Sequence, residues 1–262
     1  MKLPTAIAAA ALTLAATQVQ AAPKPTIALV HGAFETATVW DPVIAKLKAD
    51  GYPVINVNLP GRPGAERPIS EVSLDLYKST VLAAIAKAPG KVVLVGHSFG
   101  GVTISNVAEA APEKIKTLVY VAAYVPQDGQ SMIDMAKLDA GSQVGPHLQI
   151  QQDKGVASIE PAARGGLFAN DADAGVQAAV AQALNDEPLA PLATPVHVTA
   201  ARFGAVEKVY IHTAQDHVVG PAFQDAMAQA AHITRAETLN TGHTPFITNV
   251  PGLTAAIEKA AR

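Results

Sequence analysis

Short runs of Val, Ile and Leu recur along this chain between longer stretches in which apolar residues return every three or four positions. The first pattern predicts strands at 26–30, 54–59, 92–95, 117–121, 208–213 and 235–239. The second predicts helices over 38–49, 73–88, 102–111, 221–231 and 250–260, with Gly51, Pro89-Gly90 and Pro112 as stops. Strands that are apolar without alternation are buried on both faces, so the fold expected is α/β, a mostly parallel sheet of about six strands flanked by helices. The alternation lapses between about 126 and 206, where Gly, Pro, Asp and Gln are frequent. Within that stretch 176–184 reads as helix, 188–195 as a turn-rich connector and Gly165-Gly166 as a turn, while 196–199 fits neither pattern. The stretch follows the strand ending at Val121 and so leaves the sheet from its carboxyl edge, where open α/β sheets bind ligands; a cap inserted over that edge is expected.

A hydrophobic content of 49%, 16% charged residues and a net charge of −3 exclude a disordered chain and give no electrostatic basis for holding nucleic acid or an anionic membrane. The partner implied is a small molecule. Residues 1–21 have the form of a signal peptide: Lys2 is the positive start, 6–16 the apolar run and Val19-Gln20-Ala21 the small-residue cleavage site. Residues 22–262 are then a single exported domain, periplasmic or extracellular, and no later segment reaches the roughly 20 apolar residues of a membrane span. The chain has no cysteine, so an oxidising compartment would add no disulfide and the core alone must hold the fold.

The chemistry centres on Val92-Val93-Leu94-Val95-Gly96-His97-Ser98-Phe99-Gly100-Gly101. A buried strand here runs into Gly-x-Ser-x-Gly and then a helical pattern, the arrangement that perches a nucleophilic serine on a sharp turn. Ser98 is the nucleophile implied. Gly96 and Gly100 remove side chains that would collide with the neighbouring strand and helix.

A serine hydroxyl needs a base, and the base needs a carboxylate to orient it. In the chain order serine, acid, histidine, His243 qualifies as the base, because it lies in a loop after the final strand and no histidine follows it. Asp216, just past the strand at 208–213, is the favoured acid; Asp128, after the strand ending at Val121, competes with it. Oxyanion donors are expected at the N–H of Phe99, next to the nucleophile, and in the loop His31-Gly32-Ala33-Phe34, where Ala33 is favoured over Phe34. His31 and His97 read as packing residues. The remaining histidines show no metal-ligand spacing, Gly61-Arg62-Pro63-Gly64 reads as a turn rather than a phosphate loop, and neither metal nor cofactor is expected. Met132, Met135 and Phe168 are candidates for an acyl or alcohol pocket under the cap.

Taken with Trp40, Tyr120 to Pro126 and Gly242-His243, these motifs resemble the α/β-hydrolase superfamily over essentially the whole of residues 22–262. Within it the chain is most similar to the small carboxylesterases related to plant methylesterases and hydroxynitrile lyases. That resemblance implies a helical cap insertion, a Ser98-His243-Asp216 triad, oxyanion donors at Ala33 and Phe99, and hydrolysis of carboxylic esters through an acyl-enzyme. The lyases place a lysine after the catalytic histidine and a threonine in the oxyanion loop, whereas this chain has Thr244 and Ala33. With no fixed cation for a cyanide anion, ester hydrolysis is favoured over cyanohydrin cleavage. Perhydrolase activity uses the same triad, and a non-catalytic small-molecule binding protein is the competing class.

Overall fold

The computed structural model describes residues 23–262. The leader expected at 1–21 lies outside the described residues. Six parallel strands form the main sheet in the order β2-β1-β3-β4-β8-β9. They are β1 (Ile27–Val30), β2 (Val54–Val57), β3 (Val92–His97), β4 (Ile115–Val121), β8 (Glu207–Thr213) and β9 (Arg235–Leu239). Each lies where the apolar runs place it, and β3 continues past Val95 through Gly96 to His97.

Burial on both faces follows the two-residue period of a strand. Ala28, Val30, Leu94, Tyr120 and Tyr210 face a core closed by the helices Leu74–Ile85, Gly100–Ala110 and Pro221–Ala230. Ile27, Leu29, Val93, Val95, Val119 and Ile211 face the opposite core, closed by the helices Asp41–Ala49 and Val250–Ala261. The strand order reverses between β1 and β3, which leaves a crevice between their carboxyl ends. The loop after β1 and the turn after β3 both open onto it.

Between β4 and β8 the chain builds a second, three-stranded antiparallel sheet from β5 (Leu148–Gln151), β6 (Val156–Ile159) and β7 (Glu187–Pro188). The short helices Met132–Ala136, Arg164–Phe168, Ala174–Ala183 and Leu189–Ala193 accompany it. This region departs from the expectation of a helical insertion. The stretch expected as a turn-rich connector carries the helix Leu189–Ala193, and Gly165-Gly166 is helical rather than a turn. Gly165 marks a close approach: a Cβ there would stand 2.8 Å from the carbonyl oxygen of Gln177 on the next helix. Among the described residues no helix is long and apolar enough to cross a membrane.

Candidate active site

Ser98 follows β3 directly, with φ at +52° although it is not glycine. Left-handed backbone of this kind costs about 1–3 kcal/mol and persists only where its surroundings enforce it. Here the Ser98 N–H donates to Val121 O at 3.1 Å, and its carbonyl accepts from Tyr124 N–H at 3.1 Å and Gly101 N–H at 3.0 Å. The two elbow glycines are sterically required: a Cβ on Gly96 would lie 2.7 Å from the backbone of Gly100, and one on Gly100 would lie 2.8 Å from the carbonyl oxygens of Val30 and His31.

Ser98 opens into a cavity of about 330 Å³ whose wall includes Ala33, Phe99, Met132, Ile133, Leu148 and Leu189. Most of that wall comes from the segment between β4 and β8. Of the pocket residues expected, Met132 and Phe168 line the cavity, while Met135 is buried in the core instead.

His243 and Asp216 meet, although 27 residues separate them, with Nδ1 of the imidazole 2.8 Å from Oδ2 of the carboxylate. Both side chains are fully buried. Asp216 is surrounded by further donors: Thr213 Oγ1 at 2.8 Å and Gln224 Nε2 at 3.2 Å on Oδ2, and the N–H groups of Val218 and Val219 at 2.7 and 3.0 Å on Oδ1. A carboxylate facing Nδ1 makes that nitrogen the proton-bearing one, so the neutral ring presents Nε2 as a bare acceptor. Nε2 is buried and makes no hydrogen bond among the described residues. Asp128, the competing acid, lies elsewhere, paired with exposed His197 at 3.2 Å.

In the loop after β1, the Phe34 N–H is donated to Glu187 Oε2 at 2.7 Å. The N–H groups of Ala33 and Phe99 find no partner among the described residues. His31 is fully buried and neutral: its Nδ1 donates to Gly32 O at 2.8 Å and its Nε2 accepts from Leu59 N–H at 3.1 Å. Burial, assisted by the nearby Arg62 cation, pushes its pKa down to about 3. It packs and supports the loop, as the sequence suggested.

His97 does more than fill space. Its Nδ1 lies 3.0 Å from Glu35 Oε2, and its Nε2 donates to the carbonyl oxygen of His243 at 2.9 Å. Glu35 Oε2 also accepts the Gly32 N–H at 2.8 Å. Burial is the largest single influence and opposes charge on both groups, but the partner's field, the hydrogen bond between the two and the neighbouring contacts together outweigh it, so the histidine pKa lies above its ordinary value and the glutamate's below. Glu35 and Glu187 pass unnoticed in the sequence, and Arg62 is read there only as part of a turn. No group of three or more His, Asp or Glu side chains converges as metal ligands would among the described residues.

Residues 27–256 match the model of the family described as the alpha/beta hydrolase family. A putative chloroplastic methylesterase, methylesterase 11 of Arabidopsis thaliana, is 28% identical over 89% of this chain and 63% of its own length. A pyrethroid hydrolase of Sphingobium wenxiniae is 36% identical over 39% of this chain and 37% of its own. The chain thus spans less than two thirds of the length of these relatives. Among solved structures, an extracellular alpha/beta-hydrolase from a Paenibacillus species superposes with a TM-score of 0.79 over 91% of this chain and 99% of that one, at 24% identity, which speaks for the fold alone.

Proposed function

This chain belongs to the alpha/beta hydrolase family, and from that premise we propose that it is a serine carboxylesterase acting on small to medium esters through an acyl-enzyme. Ser98 attacks the ester carbonyl as His243 Nε2 takes its proton, and Asp216 holds the resulting imidazolium. The N–H groups of Ala33 and Phe99 receive the oxyanion, since the Phe34 N–H is already committed to Glu187. The alcohol leaves with the proton that His243 returns, and water, activated by the same histidine, releases the acid. The observation that carries this reading is His243, whose Nδ1 is held by Asp216 while its Nε2 has no partner among the described residues, in a chain that also holds Ser98 in a strained turn.

The segment between β4 and β8 is the cap of this site, and its apolar wall suits esters with an apolar acid or alcohol. Lyase chemistry is disfavoured, because Thr244 follows His243 and spends its hydroxyl on Phe168 O at 2.7 Å. Residues 1–21 direct export, in keeping with the extracellular neighbour.

Hydrolysis of p-nitrophenyl esters from acetate to palmitate, by the wild type and Ser98→Ala side by side, tests the reading. Turnover and a burst of p-nitrophenol in the wild type alone are expected, with kcat of the variant at least about 10³-fold lower. Undiminished turnover by Ser98→Ala, or none by the wild type on any ester, would overturn it.

A further inference from the structure

Phe34 is a second non-glycine residue in left-handed backbone, at φ +65°. It sits in the loop that also carries Ala33, so whatever holds it there shapes the oxyanion site. Both its backbone groups bond to one short stretch of the cap. Its N–H donates to Glu187 Oε2 at 2.7 Å, and its carbonyl accepts from the Asn185 N–H at 2.8 Å.

Glu187 is wholly buried, and so is Arg62, the residue that neutralises it. The guanidinium donates from Nη2 to Oε1 at 2.8 Å, and Nη1 stands 2.8 Å from Oε2. A buried ion pair is a costly way to fasten a cap, because apolar residues of similar volume often hold two surfaces as well or better. What apolar residues lack is an acceptor for the Phe34 N–H. Without one, that group would be buried unpaired and the strained turn would relax.

The geometry points to Glu187 as a positioning residue for the oxyanion hole: by capturing the Phe34 N–H, with Arg62 as its counter-ion, it holds the Ala33–Phe34 peptide so that the Ala33 N–H faces the cavity. The oxyanion site is therefore completed by the cap, 153 residues away in sequence. This rests on the proposed serine chemistry.

Two double variants separate acceptor from charge. Glu187→Gln with Arg62→Met keeps an amide oxygen for the Phe34 N–H without buried charge, whereas Glu187→Met with Arg62→Met removes both. Each is assayed for kcat and KM on the best p-nitrophenyl ester, and for the rate at which a fluorophosphonate labels Ser98. That label needs the same donors but no matching ester. The Gln/Met protein should stay within about threefold of wild type, while the Met/Met protein should lose at least about tenfold in kcat and in labelling rate with KM within about twofold. Equal rates in the two doubles, or a loss confined to KM, would overturn the proposal.

If the Met/Met protein does not fold, Asn185→Pro removes the other bond to Phe34 from a half-buried position. It should then lose several-fold in kcat and labelling rate, and unchanged rates overturn the proposal. Labelling of wild-type Ser98 without turnover of any ester would sink the esterase reading, yet the labelling rates would still decide the role of Glu187. A Ser98 that reacts with neither would sink both.

Discussion

His243 and His97 stand side by side, their ring centroids 4.5 Å apart. Both rings are fully buried, and both place Nδ1 on a carboxylate, at 2.8 Å for His243 with Asp216 and 3.0 Å for His97 with Glu35. They differ at Nε2. His97 spends that nitrogen on the carbonyl oxygen of His243, whereas Nε2 of His243 has no partner among the described residues. The same pair of side chains therefore yields two devices. One has a lone pair left for a proton; the other has every nitrogen committed and ties the loop of Gly32 to the loop of His243. In the proposed mechanism, what makes one such pair a base is what its far nitrogen lacks.

Asp216→Asn is the largest break of this contrast. An amide offers Nδ1 both a donor and an acceptor, so His243 loses the tautomer that leaves Nε2 bare. In the proposed mechanism kcat falls by about 10³- to 10⁴-fold while KM stays within severalfold. Steady-state kinetics beside a far-ultraviolet dichroism spectrum check this, and a loss under tenfold would show that His243 is oriented by something else.

Glu35→Gln attacks the other pair. It strands a buried imidazole that lacks a counter-charge, which costs about 3–5 kcal/mol of stability, and it loosens the first loop enough to lower kcat by about tenfold. The stability cost depends on pH in a particular way. Because Glu35 holds the His97 pKa above its ordinary 6.5, the histidine's contribution is complete below 6.5 and fades as pH rises through the raised value. Because His97 holds the Glu35 pKa below its ordinary 4.5, the glutamate's contribution is complete above 4.5 and fades as pH falls through the lowered value. The gap in melting temperature between wild type and Glu35→Gln should thus be widest between pH 4.5 and 6.5. A gap that does not vary with pH would mean the pair is neutral.

The main sheet, the sharp turn that carries Ser98 and the meeting of Asp216 with His243 were legible in the sequence for a common reason. Strands buried on both faces carry undiluted apolar runs, and their carboxyl ends fix where loops reach the crevice, so position along the chain locates each residue. The cap was less legible. Leu148–Gln151 spans only four residues and is mostly exposed, and β7 is two residues long, so neither produces a strand pattern. Gly165 is where two short helices touch, which from the chain alone resembles a turn. Glu35, Arg62 and Glu187 acquire meaning only from partners that the fold brings in: Glu35 meets His97 from 62 residues away, and Arg62 meets Glu187 from 125. No local pattern announces such a pairing, whereas the elbow at Ser98 lies within five consecutive residues.

A third histidine–carboxylate pair sharpens the comparison by having almost no effect. His197 Nδ1 lies 3.2 Å from Asp128 Oδ1, nearly the separation of the buried pairs, but the two side chains are 82% and 67% exposed. Water screens such a pair and solvates either nitrogen, so its attraction is weak and its second nitrogen is never isolated. Asp128 also accepts the Val198 N–H at 3.1 Å, a loop contact that an asparagine side-chain oxygen can keep. Asp128→Asn should therefore leave kcat unchanged and the melting temperature within about 2 °C of wild type. A kcat loss approaching that of Asp216→Asn would move the acid from the end of β8 to the loop after β4. It would also show that distance to a carboxylate, rather than burial with a bare Nε2, is what marks the base.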